Sequence, residues 1–355
     1  MINYGAAPAA DEIEVTLFGP GYGEAIAVHL GDGRWLLVDS CIDPDARVSA
    51  SGAYLDGIGV VADQVRVIVA SHWHDDHVRG ISELARKYQA ANLFVSAVFT
   101  DKEAAAFLAA YNGESSAGLA RGTKELFDAI DARSEVSFVL HRSIVLEETF
   151  NARAIRVTAL SPVQAAFSQC VAHFAEYLPS RGEPINHAPE LHPNLEAVVL
   201  HLDLGDDAVL LASDLEDHGT LGWSAVVSDS WSGRRAPASV YKVAHHGSHT
   251  GDNPEIWAKL LKPKPVACLT PYMLAGKRLP TDDDKKRVAG KASQAYIASA
   301  ASRSPKMDSH RLKRLKDIAK NIALLDNGFG AVRLRKRIGA ESWDVELFGA
   351  AQSLA

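Results

Sequence analysis

The sequence lacks the usual features of a membrane or secreted protein. No run of eighteen or more apolar residues occurs in its 355 residues, so we expect no membrane-spanning helix and no membrane partner. Residues 1–14 are acidic, unlike the basic-then-apolar pattern of a secretory signal. The three cysteines, Cys41, Cys170 and Cys268, form neither a CxxC metal motif nor a disulfide framework. We therefore expect buried free thiols and a cytoplasmic location.

An excess of basic residues is also missing. The chain has 37 Lys and Arg residues against 44 Asp and Glu residues, which gives a net charge of −7. Proteins that bind nucleic acid through many phosphates usually present a basic face, so this balance disfavours tight, non-specific DNA binding. A local basic patch is still compatible with the composition. The charged stretch 311–320 predicts a solvated helix, with contact to a phosphate backbone as the alternative.

The chain contains many short strand-like runs with helical segments between them. Its hydrophobic content of 47% is enough for a large core. Alternating or β-branched runs predict strands at 13–18, 25–30, 35–39, 65–70, 92–96, 135–140, 154–160, 197–202, 208–212, 240–244, 266–270, 331–335 and 343–348. Apolar spacing predicts helices from residue 80 onward, at 102–119 and at 167–177. We predict one α/β domain over 1–355 with two sheets, and a charged, mostly helical insertion at about 276–320 before the closing hairpin.

The densest group of potential metal ligands follows the strand predicted at 65–70. The run His72-Trp73-His74-Asp75-Asp76-His77 places three imidazoles and two carboxylates within six residues. Imidazole nitrogens and carboxylate oxygens are ligands that zinc, iron and manganese take. Such a loop can direct His72 and His74 to one metal while Asp76 and His77 turn toward a second. A solvated, His-rich loop without a metal is the alternative interpretation.

Two other predicted strands end in matching residues. Asp214 follows the apolar run 208–212, where its carboxylate is placed to bridge two metals, although a lone aspartate there is more typical of a turn or a helix cap. His245 and His246 follow the run 240–244. Because functional sites in α/β folds gather at the carboxyl ends of strands, we expect these three strand ends to meet.

Taken together, these residues resemble the metallo-β-lactamase-fold hydrolases. The pattern HxHxDH, then a strand-terminal Asp, then a strand-terminal HHG has the order found in that family, and the closer similarity is to its ComEC-type branch, named for the hydrolase domain of the competence DNA channel. The segments 19–26, 35–40, 160–162, 192–200 and 244–248 carry the similarity. Glu24 stands where that branch usually has Asp, and Cys41 where it usually has Gly. The resemblance covers roughly 13–275 and the closing hairpin.

The resemblance implies a fold and a metal centre. The fold is an αββα four-layer sandwich of two mixed β-sheets flanked by helices. The cofactors are two divalent metal ions, for which zinc is the expected metal and manganese and iron suit the same ligands. Asp39 is interpreted as a residue that orients a ligand imidazole. The implied ligands are His72, His74 and His192 (or Asn194 in its place) for metal one, Asp76, His77 and either His245 or His246 for metal two, with His245 favoured, and Asp214 as the bridge.

The implied chemistry is hydrolysis by a metal-activated hydroxide, with Asp75 or Asp76 accepting its proton and Asp214 as a bridging catalytic carboxylate. We predict a phosphodiesterase acting on nucleic acid or a nucleotide-like small molecule. A hydrolase of a small carbonyl compound (a lactone, lactam or thioester) is the alternative, and a non-catalytic binding module is a third hypothesis. Lys242 and His249 are candidate phosphate contacts, although Lys242 is equally suited to a structural role. A homo-oligomer is compatible with the sequence.

Overall fold

The structure is a computed structural model that describes residues 2–100, 119–150, 153–177, 193–274, 277–299, 301–302 and 326–354. Its helices are α1 Ala50–Gly57, α2 Asp75–Val78, α3 Ile81–Lys87, α4 Leu119–Asp131, α5 Gln164–Tyr177, α6 Trp223–Ser228 and α7 Asp282–Lys291. Its strands are β1 Glu12–Gly19, β2 Ala25–His29, β3 Trp35–Val38, β4 Val65–Ala70, β5 Asn92–Ser96, β6 Ser137–Val139, β7 Ile144–Phe150, β8 Arg153–Ala159, β9 Leu200–Asp203, β10 Ala208–Leu211, β11 Ala238–Lys242, β12 Leu261–Leu269, β13 Tyr272–Leu274, β14 Lys277–Leu279, β15 Gln294–Ile297, β16 Ala301–Ser302, β17 Asp326–Asn327, β18 Gly330–Arg337, β19 Asp344–Gly349 and β20 Gln352–Ser353.

Two eight-stranded mixed sheets form the centre of the molecule. The strand order of the first sheet is β19-β18-β1-β2-β3-β4-β5-β6, and that of the second is β20-β15-β12-β11-β10-β9-β8-β7. Within each sheet four neighbouring strands are parallel, namely β3 to β6 in the first and β10, β11, β12 and β15 in the second. The remaining neighbours are antiparallel. The carboxyl ends of parallel strands therefore lie along one edge of each sheet.

Three buried apolar clusters show how the layers pack. Side chains from both sheets, such as Val69 and Leu211, fill the space between the sheets. The outer face of the first sheet packs against helices through residues that include Tyr54 of α1 and Leu84 of α3. The outer face of the second sheet is covered by residues that include Trp223 of α6. The predicted four-layer arrangement of two mixed sheets flanked by helices is therefore confirmed.

Most of the predicted strands are present, with ends that differ by a few residues. Strand β4 is almost continuously buried, as expected of a β-branched strand covered on both faces. Sequence reasoning missed β7, whose glutamates interrupt its apolar pattern. The helix predicted at 102–119 lies outside the described residues, apart from Leu119 at the start of α4.

The segment predicted as a mostly helical insertion, 276–320, is only partly helical among its described residues. It contains β14 and helix α7, but also β15, which pairs in parallel with β12 inside the second sheet. That part of the segment is a component of the sandwich rather than an insertion. The prediction failed there because β15 is only four residues long and the charged helix α7 before it dominates the pattern.

The described residues hold no helix with the length and apolar content needed to cross a membrane. The three cysteines are free thiols, of which Cys41 and Cys268 are buried and Cys170 is partly buried.

Candidate metal centre

The sequence-predicted ligands lie on loops that follow the parallel strands of both sheets. The loop 71–77 follows β4 of the first sheet, while Asp214 and the pair His245-His246 follow β10 and β11 of the second. Because the carboxyl ends of parallel strands share one edge of a sheet, both sheets direct these loops to the same place. The first sheet thus supplies the HxHxDH run, and the second sheet supplies the partners.

Four of the predicted residues form one buried cluster. The ligand-type atoms of Asp76, His77, Asp214 and His246 all lie within 4.8 Å of one another. His246 Nε2 is 3.2 Å from Asp76 Oδ2 and 3.1 Å from Asp214 Oδ2. His77 Nε2 is 3.3 Å from Asp214 Oδ2 but, although buried, makes no hydrogen bond. Two imidazoles and two carboxylates therefore converge on one point, and one buried imidazole nitrogen there has charged neighbours but no hydrogen bond.

The other two histidines of the motif adjoin this cluster. His72 is fully buried, and its ring centroid is 4.4 Å from that of His77. His72 Nε2 lies 3.0 Å from His74 Nδ1, so the two rings meet through nitrogen atoms. Burial lowers the pKa of both imidazoles, which keeps them neutral and able to donate a lone pair. The structure therefore brings His72 and His74 together beside the four-residue cluster.

The orientation of His77 is set by Asp39. The Asp39 carboxylate accepts the Nδ1–H of His77 at 2.7 Å, the backbone N–H of Ser71 at 2.7 Å and the Ser71 hydroxyl at 2.8 Å. With Nδ1 engaged as a donor, Nε2 of His77 presents its lone pair to the cluster. Asp39 therefore has the orienting contact that sequence analysis assigned to it.

The cluster is strongly electronegative around its histidines. Burial alone would lower the pKa of His77, but the carboxylates of Asp214 and Asp76 outweigh burial and raise that pKa well above its usual value. Burial opposes the same effect at His246, whose pKa Asp214 raises to about 9. Burial raises the pKa of Asp214, yet His246 and His77 hold it well below its usual range. Negative charge that favours a proton on an imidazole also favours a cation in its place.

Strained backbone conformations concentrate at these strand ends. Asp39, Ser213, His245 and His246 have positive φ values of 58°, 46°, 46° and 52°. For residues other than glycine this left-handed region costs about 1–3 kcal/mol each, and it persists only where the surroundings hold it. Such strain is typical of functional sites, where side-chain direction matters more than local stability.

His246, not the favoured His245, lies in the cluster. His246 is buried, whereas the side chain of His245 is partly exposed and bonds to Thr250 Oγ1 at 2.7 Å through Nδ1. His245 Nε2 is 3.4 Å from the amide nitrogen of Asn194. Both histidines have left-handed backbone, which turns their side chains in different directions. A sequence motif of two adjacent histidines could not reveal this difference; the ligand identity stays a prediction, and the geometry favours His246.

The remaining predicted residues lie at the rim of the site or outside the described residues. Asp75 accepts a hydrogen bond from the Tyr22 hydroxyl at 3.3 Å and lies 3.8 Å from Arg79, so it faces the entrance rather than the cluster. His192 lies outside the described residues. Its alternative, Asn194, lines the entrance and donates a hydrogen bond to Glu216 at 2.7 Å.

A pocket of about 680 Å³ opens over the cluster. Several of its lining residues were not predicted as site residues, either because the motif around them drew attention to other positions or because they come from a turn or a short hairpin without a motif. The rings of Tyr22 and Tyr272 are in contact, with centroids 5.6 Å apart. The exposed side chains of Lys277 and Arg278 lie at the pocket opening. The lining residues not predicted from the sequence are Tyr22, Glu216, Ser248, Thr250, Tyr272, Lys277, Arg278 and Leu279.

Comparison with known proteins agrees with this architecture. Residues 18–99 match the sequence profile of the metallo-β-lactamase superfamily, a range that ends beyond the HxHxDH run. The fold is the metallo-β-lactamase sandwich. None of the curated proteins matches the chain. The ComEC-type branch stays a prediction.

Several solved structures are similar to the chain at low identity. The metallo-β-lactamase fold protein YhfI from Bacillus subtilis is 13% identical, with 82% of this chain and 96% of that chain covered and a TM-score of 0.41. The metallo-β-lactamase SMB-1 is 14% identical, with 65% and 76% covered and a TM-score of 0.36. The short form of human tRNase Z is 11% identical, with 64% and 76% covered and a TM-score of 0.29.

Proposed function

We propose that this chain is a metal-dependent hydrolase that holds two divalent ions, zinc being the expected metal, and that it cleaves phosphodiesters of nucleic acid or nucleotide-like molecules. The observation that carries the proposal is the buried cluster of Asp76, His77, Asp214 and His246 beneath an open pocket. Two carboxylates buried in this way need positive charge beside them, either a bound cation or a proton on a neighbouring imidazole, because each has given up its solvation.

The residues present fit a divalent metal. His77 Nε2 and Asp214 Oδ1 are buried atoms without a hydrogen-bond partner, and both belong to the cluster. Neutral imidazole and carboxylate are the donors that zinc, manganese and iron accept. Asp76, His77, Asp214 and His246 would hold one ion, and His72 and His74 would hold the other with Asp214 between them. Divalent ions there would supply Lewis acidity, which lowers the pKa of water and offsets charge developing on an attacked oxygen.

The chain's own side chains have separate tasks in this proposal. Asp39 holds the His77 ring so that its Nε2 faces the cluster. Asp76 in the cluster or Asp75 at the pocket entrance, where the Tyr22 hydroxyl donates to it, would accept the proton of an attacking water. Glu216 and Asn194, joined by a hydrogen bond, also line the pocket and would contact a substrate there.

An anionic substrate is favoured by the cations at the pocket opening. Lys277 and Arg278 line the pocket and are exposed, so both can reach the non-bridging oxygens of a phosphodiester. They form a local basic patch on a chain whose net charge is −7. An uncharged lactone, lactam or thioester would gain little from these two residues.

Metal content and hydrolysis test the proposal together. Purified wild type should contain about two metals per chain by elemental analysis and should hydrolyse bis(p-nitrophenyl) phosphate. Asp214→Ala should lose both metal and activity. Asp206→Ala is the matched control, because Asp206 is an exposed aspartate at the opposite end of the same strand pair, and it should retain both. A wild type that binds no metal when zinc or manganese is added would refute the site.

The substrate class has its own test. Arg278→Ala should raise KM for the phosphodiester about tenfold, because it removes a charged hydrogen bond to the substrate. Lys286→Ala, at an exposed side chain of helix α7, is the control and should leave KM unchanged. Two bound metals with hydrolysis of a lactone or thioester, but not of the phosphodiester, would overturn the phosphodiesterase assignment and support the carbonyl alternative.

A further inference from the structure

A buried ion pair lies against the candidate metal centre without lining its pocket. Lys242 Nζ is 2.7 Å from Glu24 Oε1, and the two residues are 2% and 0% exposed. Neither lines the pocket, so Lys242 does not make the substrate contact that its sequence position suggested. A buried ion pair stabilises a protein little more than an apolar pair would, because both charges lose their solvation. We therefore expect this pair to have a role other than stabilising the fold.

Glu24 is connected to His246 through one hydroxyl. The Thr270 hydroxyl donates to Glu24 Oε2 at 2.6 Å, and its oxygen lies 3.0 Å from His246 Nδ1. Since the hydroxyl proton is directed to Glu24, the Thr270 oxygen is available to accept the Nδ1–H of His246. This arrangement leaves His246 Nε2 facing Asp76 and Asp214. It parallels the direct contact between Asp39 and His77, with one hydroxyl inserted.

Lys242 is connected to Asp214 through the backbone and through charge. Its ammonium donates to the carbonyl of Ser213 at 2.8 Å and lies 3.6 Å from Asp214 Oδ1. Ser213 has a φ of 46°, a conformation that an L-residue adopts only when neighbouring groups hold it. The lysine thus holds the strained residue that precedes Asp214 and attracts one oxygen of the Asp214 carboxylate.

Glu24 also contacts the loop that carries Asp76. Its backbone N–H donates to the carbonyl of Asp76 at 2.8 Å. The pair therefore touches the loops of Asp76, Asp214 and His246, which come from both sheets. Because Lys242 neutralises Glu24, the pair adds no net charge, and the charge of the ligand carboxylates stays available to cations.

We propose that Glu24, Lys242 and Thr270 are positioning residues of the metal centre: Glu24 through Thr270 fixes the ring of His246, and Lys242 fixes Ser213 and the carboxylate of Asp214. The inference rests on the proposed metal site and adds to it the residues that set the direction of two ligands. Orienting partners of this kind typically contribute 10–100-fold to metal affinity.

The hydroxyl link is tested by Thr270→Val and Thr270→Ser. Valine has the same shape without the hydroxyl, while serine keeps the hydroxyl. Thr270→Val should weaken metal binding about tenfold in competition with a chromophoric chelator, and should alter the visible spectrum of the cobalt(II)-substituted protein. The loss is expected at the low end of the range because the Thr270 carbonyl, 3.3 Å from His246 Nδ1, is an alternative acceptor. Thr270→Ser should bind metal as tightly as wild type and keep the wild-type spectrum.

The ion pair is tested by two double variants, so that no buried charge is left alone. Glu24→Leu with Lys242→Met removes both charges and the acceptor for Thr270, and should bind metal 10–100-fold more weakly. Glu24→Gln with Lys242→Met keeps an acceptor for Thr270 and should recover part of that affinity. Glu14→Gln is the matched control: Glu14 is equally buried and pairs with Arg335 at 2.7 Å, away from the cluster. It should lower the unfolding midpoint without changing metal affinity.

The outcomes separate this inference from the proposed function. Wild type without metal refutes the metal centre itself. If wild type holds two metals, and Thr270→Val and the double variant Glu24→Leu with Lys242→Met bind metal as tightly as wild type, only the positioning role is overturned. If Glu24→Gln with Lys242→Met binds metal no more tightly than Glu24→Leu with Lys242→Met, the link from Glu24 to His246 is overturned.

Discussion

At the scale of single residues, the hydrogen bond behind each imidazole decides which of its nitrogens can bind a metal. Asp39 is buried and accepts three hydrogen bonds, two from Ser71 and one from His77. An amide at this position would offer a donor to His77 Nδ1 and would favour the ring form that carries its proton on Nε2. That proton would occupy the position from which the metal is bound.

The first prediction concerns Asp39→Asn. We expect metal affinity to fall 10–100-fold, because the wrong nitrogen of His77 then faces the cluster. Competition with a chelator measures the change, and the thermal unfolding midpoint of the metal-free protein shows whether the fold is kept. An affinity equal to that of wild type would mean that Asp39 does not orient the ring.

A second residue-scale prediction concerns Glu196, a buried carboxyl whose two oxygens have no hydrogen-bond partner. Burial raises its pKa from 4.5 to about 8, so the folded state keeps a proton that the unfolded state has released. Its contribution to stability is complete below about pH 4.5 and is lost as pH rises through 8. The expected loss is roughly 4–5 kcal/mol by pH 8, at about 1.4 kcal/mol per pH unit over this interval.

Urea unfolding of wild type and Glu196→Gln across pH 5–9 measures this effect. The free energy of unfolding of Glu196→Gln should not show this decrease with pH, since an amide does not titrate. Glu341→Gln, at an exposed glutamate, should keep the wild-type pH dependence. Parallel curves for wild type and Glu196→Gln would contradict the assignment.

At the scale of elements, helix α4 packs unusually closely against the loop that carries the HxHxDH run. A Cβ atom added at Gly122 would overlap the carbonyl of Trp73 and lie 2.9 Å from the backbone nitrogen of Asp75. The absence of a side chain at Gly122 therefore allows helix and loop to touch through their backbones. Backbone contact of this kind cannot be relieved by a change of rotamer.

The third prediction follows from this contact. Gly122→Ala should destabilise the protein and weaken metal binding, although alanine is the better helix former, because the helix must move away from the loop. Gly290→Ala is the matched control, since Gly290 lies in helix α7 with nothing within 4 Å of an added Cβ. It should stabilise by about 0.5–1 kcal/mol and leave metal affinity unchanged. Stabilisation by both substitutions would refute the close packing.

At the scale of the whole molecule, the candidate ligands come from both sheets, so a bound cation would connect the two halves of the sandwich. Binding to the folded state alone stabilises by about 2.7 kcal/mol when the metal concentration is 100 times Kd. The fourth prediction is that the unfolding temperature falls when a chelator removes the metal and recovers when zinc or manganese is returned. Asp214→Ala should show neither change, and an equal response in that variant would place the metal elsewhere.

Sequence patterns predicted the strands of the sandwich well, because buried strands in this fold are short apolar runs between turns. Strand β15 was missed because it has only four residues and follows the charged helix α7, and its place in the sheet is set by pairing with β12 rather than by its own pattern. The helix at 167–177 was predicted and belongs to α5. Tertiary pairing, not local propensity, accounts for what was missed.

The site was predictable where a motif concentrates ligands, and less so where backbone geometry selects among them. The HxHxDH run and Asp214 are adjacent in the structure, as their strand-terminal positions suggested. The choice between His245 and His246 depends on two left-handed φ values that no spacing reveals. Glu24 and Thr270 were missed as partners of the site because they contact the ligand residues without lining the pocket. They are also 246 positions apart in the chain, so no local motif joins them.

The pairing of β1 has a consequence for how the protein is made. Strand β1 lies between β2, its neighbour in sequence, and β18, so that Glu12 pairs opposite Arg337. During synthesis β1 is translated well before its second partner, which begins only at Gly330. At typical translation rates this interval is on the order of 15–60 s. For that time the nascent chain carries an open sheet edge, the kind of surface that chaperones must shield from aggregation.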